Sequence, residues 1–387
     1  MKREFKYSNY AAIVIGARCA GSTTAMLLAR QGARVLLVDR ETDIQDTLST
    51  HALMRPAVSL LDEWGLIDEI AGETPAVRNT QFHYGSERID IPVKSSGAAE
   101  GLYAPRRWLL DRVLRESAVD AGAELHTGTS FIDLSKDVSG RVTGAELVKT
   151  DETVRHVFSD IVIGADGRLS KVGECVGARN LLTSVERSAT VYTYVDGLRN
   201  EGYRWYYGNR NAAGLIPTTN GAHCLFTSCS PAELGDRFRE DASGGVLKIL
   251  ANGEPEIADE LAARGPIERM RRFPGAPGHL RECAGPGWAL VGDAGYFKDP
   301  ATAHGITDAF LDASRLAEAL SCTPDDAQSY QRERDHFAPR FFNITQKIAS
   351  LDWDFERLKS LHLELTACIK AEQLTIPSNQ QSLAAAA

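Results

Sequence analysis

Three short strings in this chain pair glycines with carboxylates at spacings suited to a charged, hydroxyl-bearing ligand. The first is IVIGARCAGSTTA, with Gly16 and Gly21 flanking Arg18, Cys19 and Ala20. A glycine at 16 permits a tight turn, and one at 21 lets a helix pack close to a strand. The N-terminus of that helix offers free N–H groups and a positive dipole end to a pyrophosphate. Asp39 follows Gly16 by twenty-three residues and is itself followed by Arg40. That is the place of a carboxylate that accepts both hydroxyls of an adenosine ribose. Arg18 stands where a full fingerprint has its middle glycine. Its guanidinium either reaches the phosphates or points to solvent, and the first account is preferred because two phosphate charges lie beside it. The second string, DIVIGADGRLSKV, carries Asp166. The third, WALVGDAGYFKDPATAHGITDAF, carries Gly292, Asp293, Pro300, His304, Gly305 and Ile306.

Such residues act only if elements hold them at one edge. Ala11–Ile15 is a short apolar run rich in β-branched residues, as a buried parallel strand should be. A helix is expected from about Ser22 to Gln31, ended by Gly32. ARVLLVD then supplies a second strand, which completes a βαβ unit of about thirty residues. PRRWLLDRVLRESAVDAGA reads as an amphipathic helix with Leu110, Val113, Leu114 and Ala118 on one face. DIVIGADG and GWALVGDAG are further buried strands that meet glycine turns. The stretch from about Val185 to Ser230 is β-rich and aromatic. A helix is expected at about Gly305–Leu320, and the rest is helical and charged to about Lys370. No internal repeat or low-complexity linker is seen, so the domains are expected to be interwoven.

Bulk composition narrows the field. The chain has 387 residues, 43% of them hydrophobic, and a net charge of −9. That is ample for a large core and argues against a nucleic-acid partner held by charge. The seven cysteines include no CxxC pair, so they read as reduced thiols of a cytoplasmic protein, with no structural zinc site. The basic then apolar N-terminus flows into a glycine turn and is read as a strand rather than a signal peptide. No run of eighteen apolar residues exists, so no transmembrane segment is expected. Residues 376–387 read as a tail. GxSxG, HExxH and a second dinucleotide fingerprint are absent, and RWYYGNRNAAGLIP does not match the halogenase string WxWxIP.

Taken in order, the three strings resemble the para-hydroxybenzoate hydroxylase-type flavoprotein superfamily. DTLSTH, PRRWLLD and GDAGYFKDPATAHGI are similar to a branch with geranylgeranyl-reductase-like proteins. The resemblance implies an α/β (α+β mixed) fold: a Rossmann-type FAD-binding domain interwoven with a β-sheet substrate domain, and a helical C-terminus. The expected division is 1–75, 101–180 and 280–322 for FAD, 76–100 and 181–279 for substrate, and 323–375 for C-terminal helices. By motif, Asp166 meets the cofactor, Asp293 takes the ribityl chain, and Pro300 lies beside the isoalloxazine ring. Gly305 and Ile306 present N–H groups to the flavin pyrimidine, and Arg107 reaches the cofactor. His304 stands where many relatives have glutamine. His51, on the loop after the second strand, and His304 are the candidate catalytic residues. Trp205, Tyr207 and Phe226 are candidates for the substrate pocket.

The function implied is a single-component monooxygenase. NAD(P)H, as a transient co-substrate, reduces FAD; O2 forms a flavin hydroperoxide; and an aromatic or polyketide-like small molecule is hydroxylated or epoxidised. A separate flavin reductase is the other source of hydride. The alternative function is reduction of C=C bonds in an isoprenoid-like substrate.

Overall fold

The computed structural model describes residues 9–267, 269–322 and 326–374. The tail expected at 376–387 lies outside them. At the centre, five parallel strands lie side by side: Trp288–Leu290, Val154–Gly164, Asn9–Ile15, Val35–Val38 and Glu124–His126. Ile13, Val14, Leu36, Leu37, Val162 and Ile163 are buried to 1% exposure or less. This is the all-apolar pattern of strands covered on both faces. The antiparallel strands Val142–Lys149 and Thr129–Lys136 extend the sheet, and Ala284–Gly285 closes its other edge.

Register determines what this sheet does for the site. Ile15 pairs with Val38 and also with Gly164, and Gly164 pairs with Leu290. The residues just past these positions are Gly16, Asp39, Ala165 and Val291. Motifs far apart in sequence therefore leave the sheet in one row, at the carboxyl ends of adjacent parallel strands. Open α/β sheets bind their ligands at that edge. The helices Cys19–Arg30, Arg107–Asp120 and Gly305–Cys322 pack around the row, the last two each against the first. The first helix begins at Cys19 rather than near Ser22, because the chain turns helical as soon as it leaves the glycine turn.

The second sheet has seven strands, in the order Arg271–Phe273, Ala189–Val195, His223–Cys229, Asn211–Pro217, Tyr203–Gly208, Asn79–Tyr84 and Glu87–Pro92. Period-two alternation sorts its side chains. Tyr192, Tyr203, Trp205, Ile216, Cys224 and Phe226 join the core of the first sheet. Val191, Tyr206, Ala213, Leu215 and Leu225 face the other way. That second face is covered by the helices Leu234–Phe238, Ala242–Leu250 and Pro255–Ala263, which follow the stretch expected to be β-rich. Two longer helices, Ala327–Ala349 and Phe355–Gln373, pack on each other and bury Phe341, Ile348, Leu358 and Leu361 with Tyr84. No helix among the described residues is long and apolar enough to cross a membrane.

Candidate cofactor and substrate site

The glycine turn is built by close approach. Gly16 has φ +103°, and a Cβ there would lie 2.5 Å from the carbonyl oxygen of Ala165. A Cβ on Gly21 would overlap the Gly16 carbonyl oxygen. Arg18 needs no such freedom. Its φ of −105° and ψ of −162° are extended backbone that any residue adopts, and its side chain is exposed. The turn is braced by Asp39, which is 7% exposed. Asp39 Oδ2 accepts from the Ala17 N–H at 2.7 Å, and Oδ1 accepts from the Glu41 N–H at 2.9 Å. Arg40 is exposed and pairs with Glu41. The first N–H groups of the helix that starts at Cys19, with Ala20 next, lack intrahelical acceptors by geometry, and its first turn carries no acidic residue.

The neighbouring arginines 106 and 107 part company. Arg107 Nη2 donates to both carboxylate oxygens of Asp111 at 3.0 Å, and Cys19 Sγ donates to Asp111 Oδ1 at 3.1 Å. This buried trio ties the start of the Arg107–Asp120 helix to the start of the first helix. Arg106 turns away to Asp46, and its guanidinium lies 3.4 Å from the centroid of the Tyr194 ring. The Arg107–Asp111 spacing of four was readable as a helical ion pair; the link to Cys19 was not.

Asp293 follows Gly292, whose φ is +60° and whose Cβ, if present, would lie 2.9 Å from the Ala20 Cβ. Burial, helped by the Asp308 charge, raises the Asp293 carboxyl to about 6, while Lys298 and Arg107 oppose the rise. No hydrogen-bond donor among the described residues reaches this carboxylate. The residue is half-buried, so a ligand that reaches it can supply donors. Asp166 differs. Its oxygens accept from Ser170 Oγ at 2.5 Å and from the Val172 N–H at 3.1 Å, at the start of the helix Lys171–Cys175.

Residues 299–305 form a tight loop before the Gly305–Cys322 helix. Asp299 anchors it to the second sheet, accepting from the Ser188 N–H at 2.7 Å and from Ser188 Oγ at 2.8 Å. Pro300 is half-buried and Ala303 is left-handed, with φ +49°. His304 is 1% exposed, its ring 4.6 Å from that of Phe341, and neither ring nitrogen has a partner. Burial, with the Lys298 charge, lowers its pKa to about 3, so the ring is neutral. A Cβ on Gly305 would meet nothing within 4 Å, and Ile306 packs against the first core. Sequence reasoning passed over Asp299 and the ion pair of Lys298 with Asp308. The signal was there: a lysine inside the apolar string YFKDP.

His51 is held with φ +64° and is fully buried. Its Nε2 lies 2.5 Å from Tyr194 OH, the rings are stacked at 5.6 Å, and Nδ1 has no partner. Burial lowers its pKa to about 3. His51 and His304 have different ring neighbours, Tyr194 and Phe341, and no hydrogen bond joins them.

Trp205, Gly214 and Phe226 occupy one cross-strand row. A Cβ on Gly214 would overlap the Phe226 ring, which lies 5.6 Å from that of Trp205. Tyr207 is on the same sheet face but stacks on Tyr84 at 5.4 Å and meets Trp353 at 6.0 Å, toward the C-terminal helices.

These residues fit FAD. The glycine cradle and Asp293 lie just past strand ends at one sheet edge. The helix that starts at the open space of Gly305 packs on the Gly292–Ala294 turn, and Arg107 is close enough to act on the Asp293 charge. Comparisons with known proteins agree. The chain is 28% identical over 323 residues to the digeranylgeranylglycerophospholipid reductase of Methanosarcina mazei, covering 80% of this chain and 74% of that one. It is 27% identical over 373 residues to the menaquinone reductase of Mycolicibacterium smegmatis, covering 88% and 83%. Among solved structures, PqsL of Pseudomonas aeruginosa in complex with 2-aminobenzoylacetate superposes with a TM-score of 0.77 at 21% identity, covering 92% of this chain and 100% of that one. A geranylgeranyl bacteriochlorophyll reductase-like protein from Thermoplasma acidophilum superposes at 0.68 and 20%, covering 97% and 99%. Residues 9–344 match the family described as FAD binding domain, and the chain belongs to that family of FAD-dependent oxidoreductases.

Proposed function

We propose that this protein is a monooxygenase that takes hydride from NAD(P)H and uses O2 to hydroxylate or epoxidise an aromatic or polyketide-like small molecule. The observation that carries the reading is the aromatic inner face of the second sheet. Tyr192, Tyr203, Trp205 and Phe226 are each 6% exposed or less and share one core with the nucleotide sheet. A dry wall of rings accepts an apolar ring substrate and keeps water from reactive oxygen species. FAD, when bound, supplies the two-electron chemistry.

The chain's own residues do the rest. The helix start at Cys19 meets the pyrophosphate, Asp39 the ribose and Asp293 the ribityl hydroxyls, while Arg107 adds charge. The N–H groups of Gly305 and Ile306 face the flavin edge. His51 and His304, both neutral, border the site without adding charge. In this division, residues 1–75, 101–180 and 280–322 hold the cofactor, and 76–100 and 181–279 hold the substrate. With one dinucleotide fingerprint, the hydride donor docks transiently or a separate flavin reductase delivers the electrons.

A second reading, reduction of C=C bonds in an isoprenoid-like substrate, is favoured by the names of the sequence relatives. One pair of assays separates the two. Candidate substrates are incubated with protein, NAD(P)H and isotopically labelled O2, and then again without oxygen. Label in the product supports the monooxygenase. Saturated product formed without oxygen overturns it in favour of the reductase.

A further inference from the structure

Lys298 is an unusual residue for its place. Its side chain is 3% exposed, directly ahead of the 299–305 loop. It pairs with Asp308, whose side chain is 8% exposed and which lies in the first turn of the Gly305–Cys322 helix. The ammonium also lies 4.3 Å from the Tyr296 ring centroid and 4.5 Å from that of Phe341, the ring that packs on His304. Nothing in the reading above uses this pair, and a buried ion pair is weak support for stability. Its position is more informative. The two charges bracket the loop and helix start that present N–H groups to the flavin edge, where a reduced flavin carries its negative charge. In a site with little water, a fixed charge there acts with little screening.

We propose that the buried Lys298–Asp308 pair sets the reduction potential of the bound flavin, Lys298 favouring the reduced form and Asp308 balancing it. The inference rests on the FAD reading. Other charges face the pair: Asp293, Asp312 and Arg315, with Arg107 and Arg168 acting on Asp293 beside it. His304 and Glu372 complete the surroundings.

The test is the midpoint potential of the flavin-loaded protein, with flavin stoichiometry and apoprotein melting measured alongside. Flavin missing from the parent protein would sink the FAD reading itself; the comparisons among variants decide the present inference. Lys298→Met, measured at alkaline pH where Asp308 is ionised, should bind reduced FAD about tenfold less tightly relative to oxidised FAD, a fall of about 30 mV for a two-electron couple. The fall should shrink at acidic pH as Asp308 takes up a proton. Asp308→Asn, measured at the same alkaline pH where the parent's Asp308 is ionised, should shift the potential the opposite way. Lys298→Met/Asp308→Asn should return close to the parent value. Shifts of one sign in both single variants, an equal shift in single and double variants, or no shift in folded, flavin-bound protein would each overturn the proposal. If Lys298→Met does not fold, Asp308→Asn decides alone, and an unchanged potential at alkaline pH rejects it.

Discussion

A Cβ on Gly21 would overlap the carbonyl oxygen of Gly16. The first helix thus crosses the end of the first strand at a distance only glycine allows. Both overlapping atoms would be close to backbone, so neither can swing aside. Gly21→Ala should cost about 1–3 kcal/mol of stability, the range for overpacking a dense interior, and should reduce FAD binding in parallel. Gly305→Ala is its counterpart, since a Cβ there meets nothing within 4 Å. It should leave apoprotein melting close to the parent value and still weaken FAD binding about tenfold or more, a loss of ~1.4 kcal/mol, because the proposed site places the cofactor in that open space. Thermal melting and FAD titration check both. A Gly305→Ala protein with parental FAD affinity would remove that position from the site.

Asp39 braces the turn at Ala17 and, in the proposed site, presents a carboxylate to the ribose. Asp39→Ala should weaken FAD binding by roughly 1.5–3 kcal/mol, the net range for charge-assisted hydrogen bonds. An unchanged dissociation constant in folded variant protein would remove Asp39 from the site.

Asp293 makes FAD affinity depend on pH. Its carboxyl is raised to about 6 by burial. In the proposed site the ionised form accepts from ribityl hydroxyls, so protonation should compete with binding, and affinity should fall as pH drops below about 6. In the apoprotein the same shift acts against stability. Between the ordinary value of 3.8 and about 6 the folded state binds the proton more readily than the unfolded state, so this group's contribution worsens as pH rises through that window. Asp293→Asn should therefore stabilise the apoprotein at neutral pH, by on the order of 1–3 kcal/mol, and flatten the pH dependence of FAD affinity. Asp293→Ala should fold but purify largely without flavin. Tightly held, stoichiometric FAD in that variant would show the assignment to be wrong.

Arg18 is exposed, on extended backbone, at the N-cap of the first helix. Its backbone conformation makes the missing glycine harmless, so only the charge is at issue. Arg18→Gly should bind FAD more weakly at low salt, and with a smaller salt dependence than the parent, because screening acts on the deleted charge. Equal or tighter binding at low salt would mean the guanidinium serves only solvent.

What the sequence determined by itself is local and periodic. The strand, glycine turn, helix and second strand from Asn9 to Val38 lie within about thirty residues, the span of one βαβ unit. Their glycines and apolar runs carry the constraint directly. The order of the three glycine–carboxylate strings was equally legible. Tertiary structure decided which way individual side chains point. Arg106 and Arg107 are adjacent, yet one lies over Tyr194 and the other reaches Asp111 and Cys19. Asp166 and Asp293 follow similar strings, yet one caps a short helix and the other sits among the charges of Asp308, Lys298 and Arg107. Trp205 and Tyr207 share a sheet face but meet different neighbours, Phe226 and Trp353. In each case the side chain's partner is supplied by a segment distant in sequence. Strand register and helix packing choose that segment, and neither is written in the spacing of nearby residues.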